Sequence, residues 1–174
     1  MDVFEAISTR RSIRKYTGEL IIPEKLETVL KAGFQAPSAH NIQPREYIVI
    51  KDPETLAEIA SVHTYAKMLP QAGQGIIVCG DKEKQLLAGF LIADCAAAIQ
   101  NMLLAAHGLG LGAVWCGLYP VTQLTKAIAK ICCLPDNIIP VGLVVLGQKT
   151  EEKNPADRFD QTKIHQEKWQ GGLL

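Results

Sequence analysis

Apolar residues recur along the chain in two periods, and the alternation between them lays out the elements. Residues 2–9 place Phe4 and Ile7 on one side of a short amphipathic helix. Pro23 suits the first position of a second helix reaching about residue 36, with Leu26, Val29, Leu30 and Phe34 as its apolar stripe. Pro37 stops that helix and opens a polar loop that closes at Pro44. Short apolar runs at 46–50, 75–80, 113–117 and 138–146 predict strands, and helical patterns at 53–62, about 86–107 and about 121–132 fall between them. Residues 147–174 are polar, with few helix signals. Helices that alternate with short apolar strands predict an α+β or α/β sandwich rather than a bundle or a barrel.

The segment after residue 85 stands apart. Between Gln85 and Thr125 the only formally charged side chain is Asp94. A membrane span would need a cleaner run, because Asp94, Gln100 and Asn101 interrupt the apolar stretch and a glycine-rich loop follows at once. The pattern predicts instead a helix buried on nearly every face. A domain of 174 residues has difficulty enclosing so long a helix alone. Ala93, Ala96, Ala97, Ala98, Ala105 and Ala106 would let another backbone approach closely. Two arrangements satisfy this: the central helix of a monomer, or the centre of a symmetric dimer.

Length and charge narrow the picture further. The chain fits a single domain, 1–174, large enough to need no disulfide or metal staple. Lysine plus arginine number 18 and aspartate plus glutamate 18, so a net charge of zero argues against bulk nucleic-acid binding and against adhesion to an anionic membrane. The five cysteines, Cys79, Cys95, Cys116, Cys132 and Cys133, form no CxxC pair and read as free thiols of a reducing compartment. The start Met1-Asp2-Val3-Phe4-Glu5 lacks the charge and apolar run of a signal peptide, and the expected location is cytoplasmic.

Four stretches carry candidate chemistry. Gly108-Leu109-Gly110-Leu111-Gly112 follows a helix and precedes a strand, the reverse of a dinucleotide loop, so it predicts a helix C-cap and tight turn. Arg10, Arg11, Ser12 and Arg14 set three guanidinium groups and a hydroxyl within five residues, a pattern that suits phosphate as well as a solvated helix end. The loop 37–44 holds donors and acceptors between two prolines. Trp115-Cys116-Gly117 ends a strand on a glycine, where backbone amides can approach a planar ligand. The four histidines are too scattered for a metal site, and neither a nucleophile elbow nor a phosphate-binding loop occurs, so no metal is expected.

Taken in order, these stretches give the chain a resemblance to the nitroreductase family of flavoproteins. The matching segments are Arg10-Arg11-Ser12-Ile13-Arg14, Ala36-Pro37-Ser38 through Asn41-Ile42-Gln43-Pro44, and Lys67-Met68-Leu69. The helix from Asp94 to Ala106, Gly110-Leu111-Gly112 and Trp115-Cys116-Gly117 also match. The resemblance implies an α+β fold, a nitroreductase-like α/β sandwich with a central, mostly antiparallel sheet flanked by helices. It implies an intertwined homodimer holding FMN at the subunit interface, with residues 147–174 as a tail reaching over the partner. It also implies roles. Arg10, Ser12 and Arg158 would hold the phosphate, and Arg11 would lie along the ribityl chain. Arg14 and Lys67 would stand near N1 and O2 of the ring. Pro37, Ser38, Ala39 and Asn41 would come from the other subunit. Amides around Trp115, Cys116 and Gly117 would face N5 and O4.

Two positions depart from the family pattern: Arg45 stands where many relatives carry tryptophan, and Thr64 where many carry asparagine. The stretch between Val62 and Gly75 is also too short for the lid of the dehalogenase branch. The implied activity is transfer of reducing equivalents from NADH or NADPH to an electron-poor acceptor, such as a nitroaromatic or quinone, in two separate half-reactions. No side chain is required as acid or base, so no catalytic residue is expected. The alternatives are a protein that stores, senses or cleaves flavin, and a dimeric interaction module without enzymatic activity.

Overall fold

The computed structural model describes residues 1–169, so the last five residues of the predicted tail, 170–174, lie outside it. Helix α1 (Val3–Thr9) starts where the Asp2 carboxylate accepts from the Glu5 amide, and α2 (Pro23–Phe34) starts on its proline. Strand β1 (Arg45–Ile50) leads to α3 (Pro53–Val62), capped by Asp52 through the Thr55 amide. A single-turn helix α4 (Leu69–Ala72) precedes β2 (Gly75–Asp81). The long α5 (Ala88–Gly108), β3 (Gly112–Gly117), α6 (Thr122–Ile131) and β4 (Ile138–Gly147) complete the layers.

The four strands form one antiparallel sheet in the order β1-β2-β4-β3. Strand alternation sends Ile76, Val78, Ala113 and Val144 to one face, against α2 and α5. Ile77, Cys79, Val114, Cys116 and Leu143 go to the other face, against α3, α4 and α6. The predicted strands recur within a residue or two of their bounds, and the sandwich is the α+β architecture expected. The turn after α5 is the C-cap expected of its glycines: Leu109 caps the helix and Gly110 takes φ +76°, a left-handed value that suits glycine.

Three expectations need correction. Helix α5 is not buried on nearly every face of the chain. Leu91, Cys95, Ala98, Ile99, Met102 and Ala106 face the core, while Phe90, Ala93 and Gln100 are exposed and Ala97 and Leu104 half-buried. Spacings of three and four make these five one continuous stripe. Helix α1 buries neither Phe4 nor Ile7, because no other part of the described chain covers that side. In α2 the buried position is Gly33, which sits under Met102, whereas Phe34 turns outward and meets the edge of Tyr47.

The tail does not leave the body at once. Thr17 N donates to Gln148 O and Thr150 N to Lys15 O, so residues 148–150 run back along the segment after the basic turn. Lys153 Nζ then donates to Ser12 O, and Arg11 holds Asn154 O and Ala156 O. Beyond Arg158 the described tail is mostly exposed, with Phe159, Ile164 and Trp169 among its exposed apolar side chains.

Candidate functional site

The basic turn lies against the outer edge of β3. Ile13 N donates to Ala113 O, and Gly112 permits the approach, since a Cβ there would meet Ile13 Cγ2 at 2.7 Å. The returning tail brings Arg158 to the same place. Burial lowers the Arg10 pKa, and the charges of Arg11 and Arg158 push it the same way. Three guanidinium groups thus share one half-exposed spot, and none of them pairs with a carboxylate among the described residues. Arg10, the Ser12 hydroxyl, Arg14 and Arg158 also make no side-chain hydrogen bond among the described residues. Arg11 differs: its guanidinium donates to the carbonyls of Ser8, Arg10, Asn154 and Ala156 and ties the tail to α1. Like charges gathered without a counter-charge fit a multiply charged anion such as a phosphate monoester.

Strand β3 supplies the second half of the site. Because Ala113 O points away from β4, Trp115 and Gly117 direct their backbone groups to the same free edge, and Cys116 directs its own toward Leu143. The open amides are therefore those of Trp115 and Gly117, a correction to the expectation for Cys116. The Cys116 side chain faces the core, its thiol pushed up to about 11 by burial and donating to Tyr65 O. Trp115 is half-exposed and lies across Gly142. Arg14 is near enough for its charge to act on Cys116. A cavity of about 530 Å³ opens beside Gly117, lined by His63, Tyr65, Val121, Gln123 and Leu124.

Two predicted groups are placed elsewhere. Lys67 Nζ donates to Ala60 O and Ser61 O, carbonyls in the last turn of α3, and is engaged there rather than at the β3 edge. Pro37, Ser38, Ala39 and Asn41 stand beside β1, three strands from β3 and so about 14 Å across the sheet. Within one chain they do not meet the arginines. Their loop is tightly held. Asp94 Oδ1 accepts from Ala39 N, Arg45 donates to Ala36 O and Pro37 O, and Ser38 Oγ accepts from Gln43 N. Asp94 and Arg45 are 6% and 5% exposed, so two buried charges are spent on one loop. The loop needs that support, because His40, Asn41 and Gln43 all take positive φ.

His63 escaped the sequence reading. It is buried, its Nε2 lies 3.1 Å from Gly117 O, and its Nδ1 accepts from Tyr65 N. A lone histidine whose partner is 54 positions away carries no local signal.

Burial depresses the pKa of His63, and that of His107 is lowered by burial and then by Lys149 and Arg10. The unfolded chain therefore binds more protons than the fold once the pH falls below about 6.5, the ordinary histidine value. Stability should hold above pH 7 and decline as the pH drops from 6.5 to 5.5, by up to about 1.4 kcal/mol per pH unit for each histidine. Thermal melts at pH 7.5, 6.5 and 5.5 check this; a midpoint that does not fall across the series would mean both rings protonate as freely in the fold as in the unfolded chain.

Comparison with known proteins places the sequence and the fold. The profile of the Nitroreductase family matches residues 7–85 and 60–148. A protein of Methanothermobacter thermautotrophicus, assigned the name NADH dehydrogenase/NAD(P)H nitroreductase, is 43% identical over 169 residues, covering 97% of this chain and 88% of its own. An FMN-dependent nitroreductase from Clostridium difficile superposes with a TM-score of 0.89 at 29% identity, over 96% of this chain and 100% of that one. A protein assigned as a nitroreductase from Desulfovibrio desulfuricans, solved in complex with FMN, gives a TM-score of 0.85 at 32% identity, over 98% and 99% of the two chains. On profile, sequence and fold together, this chain belongs to the nitroreductase family.

Proposed function

We propose that the protein binds FMN along the free edge of β3 and passes reducing equivalents from NADH or NADPH to an electron-poor acceptor such as a quinone or nitroaromatic. The observation that carries the reading is the unneutralised trio Arg10, Arg11 and Arg158, which calls for an anion of the charge a flavin phosphate bears. The chain's own residues then divide the work. Arg10, Ser12 and Arg158 hold the phosphate. Arg11 fixes the tail that delivers Arg158. The open amides of Trp115 and Gly117 meet the polar edge of the ring. Arg14, whose side chain makes no hydrogen bond or ion pair among the described residues, places a positive charge beside it, which favours the negative charge that reduction brings. FMN, when bound, supplies the two-electron chemistry, so no side-chain acid or base is assigned.

The reading requires a homodimer. Asp94 holds the loop 37–44 near one end of α5, and at the other end His107 bonds Thr9 beside the basic turn. Thirteen residues of helix separate them, about 20 Å. A two-fold axis through the exposed stripe, midway between these ends and so near Gln100, one turn from Ala97, carries the loop of one subunit to the basic turn of its partner. That supplies Pro37, Ser38, Ala39 and Asn41 to a site they cannot reach within their own chain. The exposed segment beyond Arg158 is the part of the tail free to cross the partner. Free cysteines and neutral net charge fit a cytoplasmic protein.

Purified protein should be yellow and release FMN on heating. NADH or NADPH should bleach it, and a quinone or nitroaromatic should restore the colour. If donor and acceptor use the same flavin face in turn, initial rates at several acceptor concentrations give parallel lines. Intersecting lines would reject the shared face, bleaching without reoxidation by any acceptor would favour a storage role, and a protein that ignores added FMN would end the reading.

A further inference from the structure

Gly117 is the last residue of the edge strand β3, and nothing packs where its side chain would be. Its carbonyl, like its amide, points to the free edge, away from β4. Immediately beyond it the chain leaves the sheet, with Leu118 N and Tyr119 N both donating to Val141 O. A glycine at such an exit has wide conformational freedom, and on the inner side the Leu118 N bond to Val141 O holds the peptide that carries the Gly117 carbonyl.

The only group that engages the Gly117 carbonyl among the described residues is His63. The ring is 3% exposed and comes from the end of α3, and it lines the same cavity as Gly117. Its two nitrogens have separate tasks. Nδ1 accepts from Tyr65 N at 3.2 Å and so carries no proton. Nε2 therefore carries it and donates to Gly117 O at 3.1 Å. Burial, by disfavouring the charged ring, maintains this neutral tautomer.

We propose that His63 is a positioning residue for the flavin site: its Nε2–H holds the Gly117–Leu118 peptide on one side of Gly117, as the pairing of Cys116 with Leu143 holds the other, and so keeps the strand end that presents the Gly117 amide to the ring edge in place. This rests on the reading that FMN lies along β3. His63 touches neither flavin nor substrate in this scheme and acts through Gly117 alone. It also occupies the Gly117 carbonyl, which would otherwise accept from a water or from a donor of the ligand.

Two substitutions separate the two nitrogens. Glutamine reaches as far as Nε2, so His63→Gln keeps a donor for Gly117 O and loses the acceptor for Tyr65 N. Asparagine reaches as far as Nδ1, so His63→Asn keeps the acceptor and loses the donor. FMN affinity is measured by titrating the FMN-free full-length protein, with the midpoint potential and absorption spectrum of the bound flavin and the thermal midpoint of each variant. His63→Asn should bind FMN about fivefold more weakly, the loss expected of one neutral hydrogen bond, with a shifted potential and flavin band. His63→Gln should match wild type in affinity, potential and spectrum even where its thermal midpoint falls. A wild-type potential and affinity in His63→Asn overturn the proposal. So do equal losses in both variants that follow the thermal midpoint, since His63 would then only cap the turn at Thr64–Ala66. A wild-type protein that holds no FMN ends the reading of the site itself, and this proposal with it.

Discussion

Replacing Ala97 with glutamate should leave a monomer that no longer holds FMN. Ala97 lies at the middle of the stripe Phe90, Ala93, Ala97, Gln100 and Leu104, the face of α5 that its own chain leaves uncovered. In a two-fold pair residues near the axis meet their own copies, so each substitution acts twice and like charges face each other. An uncompensated buried charge costs about 3–5 kcal/mol. Even the lower figure weakens association more than a hundredfold. FMN should be lost with the dimer, because in the proposed assembly the loop 37–44 reaches the arginines only across the axis. Sedimentation equilibrium with flavin absorbance recorded in the same cell reads both outcomes. Ala97→Ser, small and uncharged, should stay dimeric and yellow. A glutamate variant that remains a yellow dimer would place the interface elsewhere on the molecule, and a wild-type monomer with stoichiometric FMN would remove the need for a partner loop.

What the sequence made legible is what periodicity and turn chemistry encode. The strands and long helices were readable because each repeats its pattern over several residues. Gly110 was readable because a helix followed by glycine and then a strand leaves one structural use for it. The single-turn α4 and the short turns at Ala39–Asn41 and Thr64–Ala66 were not, since one turn shows no period. Phe34 and Gly33 exchanged places because burial there is decided by Met102, a residue of α5 far along the chain. The site divides in the same way. The arginines of the basic turn announce themselves by density, but Arg158 joins them through the backbone pairing of residues 148–150 with 15–17 and the bonds of Arg11 to Asn154 O and Ala156 O. Lys67 matched a motif, yet the nearest unsatisfied carbonyls belong to α3 and take its protons first. His63 and Asp94 act on backbone groups 54 and 55 positions away, and Arg45 on the carbonyls of Ala36 and Pro37 just before its strand; side chain to backbone bonds of these kinds leave no trace in a pattern of residue types.

Arg10→Ala and Arg158→Ala should each weaken FMN binding about 10- to 100-fold, and the two together should all but abolish it. In the proposed site each substitution deletes a charge-assisted hydrogen bond to phosphate, worth roughly 1.5–3 kcal/mol, and 1.4 kcal/mol is a factor of ten. Two features separate this from general damage. First, Arg10 stands half-exposed beside Arg11 and Arg158, whose charges oppose its own. Removing it from the flavin-free protein relieves repulsion, so the thermal midpoint of that form should stay level or rise while affinity falls. Structure and binding thus move in opposite directions, as they do where like charges are gathered for a ligand rather than for the fold. Second, the loss belongs to the phosphate. Riboflavin has the same ring and ribityl chain without the phosphate, so its affinity should change little in either variant. The preference of the protein for FMN over riboflavin should shrink accordingly. Titration of both flavins against wild type and the two variants, with melts of the flavin-free proteins, gives all three quantities. If riboflavin and FMN lose affinity in equal measure, the arginines support the fold around the ring and the phosphate lies elsewhere. If neither loses any, the arginine trio holds no flavin, and the basic turn must be assigned to a different anion.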